Sequence, residues 1–77
     1  MILLSGIPHN ALLDDVERFL SGCQYYSSSV TFIRPLSKRA VRMAVVRFPS
    51  QALAMHAYIT KNRGFCLNNQ ITVQVLH

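Results

Sequence analysis

Acidic residues are scarce in this chain. Three carboxylates stand against eight lysines and arginines in 77 residues, and the net charge is +5. Charged residues make up only 14% of the chain and apolar residues 51%, which excludes an intrinsically disordered polyelectrolyte. The excess of base suggests a polyanionic partner, most often nucleic acid and less often a membrane surface, with a merely soluble basic domain as the alternative. No apolar run approaches the ~18 residues of a membrane span, so no membrane partner is expected.

Cysteine is almost as rare. Cys23 and Cys66 form neither a disulfide framework nor a zinc pattern, and buried reduced thiols are expected. His9, His56 and His77 are scattered, with no cysteine or carboxylate at ligand or triad spacing. No metal, no cofactor and no enzymatic activity are therefore expected. "SGIPHN" holds a single glycine, too few for a phosphate cradle. "MILLSGIP" is too short for a signal peptide and lacks a basic start. The chain starts inside its first strand, which fits a minimal domain or the loss of an upstream segment such as an organellar presequence.

Its 77 residues suffice for one domain, spanning 1–77, with a marginal core. "ILLSGIP" is a short apolar run ended by Gly6 and Pro8 and reads as a buried strand. In "HNALLDDVERFLSGC", Leu12, Val16, Phe19, Leu20 and Cys23 recur at helical spacing, with Asn10 as the candidate N-cap. Asp14 and Asp15 suit the positive end of its dipole. "SGCQYYSSS" breaks the period, and of Tyr25 and Tyr26 one is expected to cap the core and the other to be exposed. "VTFIRPL" is rich in β-formers and stops at Pro35. "VRMAVVRF" alternates Arg42, Ala44, Val46 and Phe48 with Val41, Met43, Val45 and Arg47. "PSQALAMHAYITKN" starts at Pro49 and Ser50 and ends near Asn62 and Gly64, with Ala54, Ala57 and Tyr58 on its apolar face. "ITVQVL" alternates again.

The pattern predicts strands near 1–6, 29–34, 41–48 and 70–75, with helices near 11–22 and 50–62. That βαββαβ order implies an α+β split-βαβ (ferredoxin-like) sandwich: a four-stranded antiparallel sheet with two helices on one face and the other face open. The expected core is Ile2, Leu4, Val16, Phe19, Leu20, Ala44, Val46, Phe48, Ala57, Ile71 and Val73.

In order and motifs the chain resembles the RNA recognition motif (RRM) family over essentially its whole length. "ILLSGIP" looks like the family's six-residue motif on strand one, and "VRMAVVRF" like its eight-residue motif on strand three. "NALLDDVERFL" is similar to its first helix, and "ALAMHAYITKNRGFCLNNQITVQV" to its second helix, glycine-containing turn and last strand. The resemblance implies RNA contact at three typically aromatic positions, which here are Leu3, Met43 and Val45. The usual Lys or Arg that opens the longer motif is Val41, and the glycine after it is Arg42. Each lost stacking platform removes about 1–3 kcal/mol per base. Three such losses take a micromolar binder to millimolar or beyond.

The bases suggest what replaces stacking. All three acids lie between Asp14 and Glu17, whereas seven of the eight bases fall from Arg34 to Arg63. Lys38, Arg39 and Arg42, flanked by Arg34 and Arg47, are expected to hold RNA phosphates, which fixes position without reading sequence. Thr72, Gln74 and His77 would add hydrogen bonds, while Leu3, Met43 and Val45 weakly support bases or meet an apolar protein neighbour. Such a domain suits a ribonucleoprotein particle, a ribosome being one, in an organelle such as the mitochondrion or in the nucleus. The alternative is a protein-interaction module using the aliphatic sheet face. A sharper form resembles the UHM subclass, which binds a tryptophan-containing peptide. Asp14, Asp15 and Glu17 supply its acidic helix, and "RGF", Arg63 to Phe65, approximates its Arg-x-Phe motif. The subclass usually places glycine before the arginine, so the plainer expectation is a turn glycine at Gly64 and a core plug at Phe65.

Overall fold

The computed structural model describes residues 1–33 and 42–76. Along the chain run β1 (Ile2–Ile7), α1 (Leu13–Phe19), a 3-10 turn (Ser27–Ser29), β2 (Thr31–Ile33), β3 (Arg42–Val46), α2 (Gln51–Lys61), β4 (Phe65–Cys66), β5 (Asn69–Gln70) and β6 (Thr72–Val75). Four strands form an antiparallel sheet in the order β2-β3-β1-β6, and β4 and β5 form a separate two-stranded hairpin. The sandwich expected from the sequence is thus present, with the short hairpin as an addition.

Strict alternation builds the core. Ile2, Leu4, Ala44, Val46 and Val73 point to one side of the sheet and are buried. Val16 and Leu20 from the first helical segment, and Ala54 and Ala57 from α2, join them in one cluster, so both helices cover the same face. Phe19 and Phe48 pack against its edge and are only half-buried. Tyr58, expected on the apolar face of α2, is exposed: Ala54 and Ala57 are the buried residues of that helix, and Tyr58 lines the groove between α2 and β6 with Met55 and Val75. Ile7, Ala11 and Cys66 are buried as well.

Gly6 lets β1 reach Ile7 in phase. The register jumps from Ser5↔Met43 to Ile7↔Arg42, so Gly6 is the extra residue of a bulge. Its φ is +92°, and a Cβ there would lie 2.6 Å from the Gln70 carbonyl oxygen. Without that bulge Ile7 would face solvent.

Several boundaries differ from the sequence pattern. The first helix is shorter than 11–22, and Asn10 does not cap it. A turn that closes with the Ala11 N–H donating to the Pro8 carbonyl (3.0 Å) delays the start, and the Leu12 N–H donates to the Asp15 carboxylate at 2.8 Å. The second strand starts at Thr31 rather than 29, because Ser29 closes the 3-10 turn by donating its N–H to the Tyr26 carbonyl at 2.9 Å. The third leaves the ladder after Val46. The last strand breaks at Ile71, whose N–H donates to the Gly64 carbonyl (2.8 Å) and whose carbonyl accepts from the Arg63 N–H (2.9 Å). That exchange turns residues 65–70 out into the hairpin.

At the second helix the expected Ser50 cap is present: its hydroxyl oxygen accepts from the Leu53 N–H at 3.2 Å. After Lys61 it is Arg63, not Gly64, that takes the left-handed conformation (φ 66°). Gly64 is needed for contact instead, since a Cβ would come within 3.0 Å of the Lys61 carbonyl oxygen and 3.1 Å of the Phe19 ring. Asn62 then covers part of the outer edge of β6, its side-chain oxygen accepting from the Val73 N–H at 3.0 Å.

Replacing Gly6 by alanine forces both a left-handed residue and a carbonyl clash. Gly6→Ala should lower the unfolding free energy by about 2–3 kcal/mol or more. Urea denaturation measures it, and an unchanged midpoint would refute the bulge geometry.

Candidate nucleic-acid interface

The face of the sheet opposite the helices is set by register. Thr31 lies beside Val45, Val45 beside Leu3, and Leu3 beside Gln74. A second row runs Ile33, Met43, Ser5 and Thr72. Leu3, Met43 and Val45 are half-buried, and Thr31, Thr72 and Gln74 are exposed. Of the residues singled out in the sequence, Leu3, Met43, Val45 and Gln74 are thus brought together. They make an aliphatic centre with a hydroxyl and amide rim. Such a surface offers dispersion contact and hydrogen bonds but no ring to stack on a base.

The basic residues divide. Arg34, Lys38 and Arg39, with Val41 and His77, lie outside the described residues. Arg47 is exposed just past the end of β3, where its N–H donates to the Ser29 hydroxyl at 3.0 Å and its carbonyl accepts from the Tyr26 N–H at 3.0 Å.

Arg42 is placed differently from the expectation of a phosphate contact. It shares the inward phase of Ala44 and Val46, on the helix side of the sheet. Its guanidinium lies 4.4 Å from the centre of the Phe32 ring. One terminal nitrogen donates to the Ala11 carbonyl and, at 3.3 Å, to the Pro8 carbonyl. Its Nε is buried and bonded to nothing. Arg42 therefore clamps the β1–α1 loop to the sheet and is absent from the open face. The alternation already contained this signal, because Arg42 falls in phase with the core.

A second surface lies at α1 and the hairpin. Phe65 is 68% exposed rather than a core plug. It shares a shallow pocket with Asp15, Arg18, Phe19, Cys66 and Leu67. Leu67 and Asn68, both left-handed (φ 49° and 71°), form the turn of the hairpin in which Phe65 pairs with Gln70.

Both cysteines are free thiols. Burial, and after it the Asp15 carboxylate, pushes the Cys66 thiol above its ordinary value of 9.0. Burial likewise raises the Tyr25 phenol, with Glu17 and Cys23 adding to it. Among the described residues no group of three or more His, Cys, Asp or Glu could hold a metal ion, and no helix is long and apolar enough to cross a membrane.

The fold has solved counterparts. The third RRM domain of Mip6 superposes with a TM-score of 0.78 at 19% identity, covering 95% of this chain and 87% of that one. The qRRM2 domain of Glorund gives 0.76 at 26% identity over 94% of this chain and 82% of its own. A human G-rich RNA sequence binding factor 1 structure gives 0.78 at 18% identity over 99% and 78%. No family model matches the sequence, and no curated protein does so significantly. The chain has the RRM fold.

Removing the Arg42 clamp should be costly. Arg42→Met should lower stability by about 2–3 kcal/mol in chemical denaturation, the size of hydrogen bonds to a charged donor. Arg47→Gln, at an exposed position, should stay within about 0.5 kcal/mol. Equal effects would refute the division. The raised thiol and phenol also give a sign. They stabilise the fold fully below their unfolded values and lose this as pH rises through the raised native ones. The urea midpoint should therefore fall as pH climbs past about 9. Thiol labelling at about pH 8 should modify Cys23 well before Cys66.

Proposed function

We propose that the chain is an RNA-binding domain that holds single-stranded or structured RNA across its open sheet face without aromatic stacking at the sheet centre. The observation that carries this is the pair of rows Thr31–Val45–Leu3–Gln74 and Ile33–Met43–Ser5–Thr72, an uncovered surface with a polar rim. The RRM fold supports it, as does the likeness to a protein named a G-rich RNA sequence binding factor. So does the net charge of +5 with every acid confined to α1. Affinity comes mainly from phosphate contacts by Arg34, Lys38, Arg39 and Arg47; Arg42 is spent on the fold. Binding of that kind is weak in sequence preference and strong in salt dependence. It suits a subunit of a ribonucleoprotein particle.

A second reading is favoured by Phe65. Its exposure beside Asp15, with Asp14 and Glu17 on the same helix, suits a basic peptide bearing an aromatic side chain. Titration with a tryptophan-bearing basic peptide should then shift residues of α1 and Phe65, and an unshifted spectrum would sink it.

RNA binding is tested by NMR titration of the labelled domain with a pool of short single-stranded RNAs. At low salt, shifts should map to Leu3, Met43, Val45, Gln74 and Arg47 and fade at physiological salt. Lys38→Gln with Arg39→Gln should flatten the slope of log K against log salt by about 1.4, at ~0.7 per phosphate contact on single strands. Absence of shifts at both salts would refute the proposal.

A further inference from the structure

The loop between α1 and β2 carries an exposed aromatic close to the open face. Tyr26 is 51% exposed. Its neighbour Tyr25 is turned the other way, packing on the core with its ring 6.2 Å from that of Phe48. Only Tyr26 therefore offers a ring to a ligand here.

The Tyr26 backbone is tied to the end of β3. Its N–H donates to the Arg47 carbonyl at 3.0 Å, and its carbonyl accepts from the Ser29 N–H at 2.9 Å. The Ser29 hydroxyl bridges both residues. It accepts from the Arg47 N–H at 3.0 Å, and its oxygen lies 2.5 Å from the Tyr26 carbonyl and 3.3 Å from that of Arg47. Tyr26 and Arg47 are thereby held side by side before any ligand arrives, which reduces the ordering cost of binding.

With Ser28, Ser29 and Thr31 they line a surface depression of about 480 Å³. Thr31 is also the first residue of the row Thr31–Val45–Leu3–Gln74, so the depression adjoins one end of the open face. Among the described residues no carboxylate is paired with Arg47. The three acids belong to α1, which covers the opposite face of the sheet.

We propose that this depression is a nucleotide subsite for single-stranded RNA. The Tyr26 ring stacks on a base and the Arg47 guanidinium holds an adjacent phosphate. The subsite rests on the RNA-binding reading above and deepens it, for it returns to the domain one of the stacking contacts that Leu3, Met43 and Val45 cannot make. Every base has a π-face, so the subsite adds affinity without choosing a sequence.

Fluorescence anisotropy with a pool of short labelled single-stranded RNAs tests it. Tyr26→Phe keeps the ring and should bind within about threefold of wild type, whereas Tyr26→Ala should bind roughly 10- to 100-fold more weakly. Arg47→Gln should lower the salt slope by about 0.7. In the wild-type protein the Tyr26 ring protons should move upfield on RNA addition, a readout that holds even if Tyr26→Ala does not fold. Wild-type binding with unmoved Tyr26 protons, or with Tyr26→Ala as tight as wild type, overturns the subsite and leaves RNA binding standing. No binding by wild type overturns both.

Discussion

The phase of the two central strands controls this molecule. β1 and β3 are neighbours, and each must place every second residue under the helices. Ile2 and Leu4 on one strand, with Ala44 and Val46 on the other, satisfy that demand together, and the pairings Ile2↔Val46 and Leu4↔Ala44 lock the register. A slip of one residue would put all four in water and bring Leu3, Met43 and Val45 inside. The open face is therefore what remains after the core has been chosen. The bulge at Gly6 shows how strongly the phase is defended, since a strained glycine is accepted to return Ile7 to the buried side.

The same phase decides which charges are available. Arg42 and Arg47 both belong to "VRMAVVRF" but fall in opposite phases of it. One falls in phase with Ala44 and Val46, so its guanidinium is drawn under the sheet edge, where two carbonyls and the Phe32 ring replace water. A partly buried cation without such partners would be strongly destabilising. The other lies outside the ladder and stays exposed. Basic content therefore overstates the positive charge that the sheet can offer a polyanion.

Aromatic residues are redistributed in a similar way. Phe32, Phe48, Phe19 and Tyr25 pack against the core cluster, and none occupies the two rows of the open face. Tyr26, in the loop after α1, and Phe65, in the β4–β5 hairpin, are exposed. One lies beside a cation at the end of the sheet, the other beside Asp15 on the helix layer. Two chemically distinct surfaces result, with no lining residue in common.

Much of this was legible from the chain alone. Period-two alternation and helical spacing determined the βαββαβ order, the sheet with one open face and most of the core, while the family resemblance pointed to Leu3, Met43 and Val45 as a common surface. The first three follow from local periodicity, which is carried by nearest neighbours. Tertiary structure alone decided that Arg42 is a clamp, that Phe65 is outside, that the last strand breaks at Ile71, and that Tyr26 stands beside Arg47. Three of these rest on partners outside the residue's own strand or helix: Arg42 with Ala11, Ile71 with Gly64, Ser29 with Arg47. Local pattern gives the direction of a side chain along its own strand or helix. It cannot give the carbonyl or ring that another element brings to meet it, because that depends on how the elements pack.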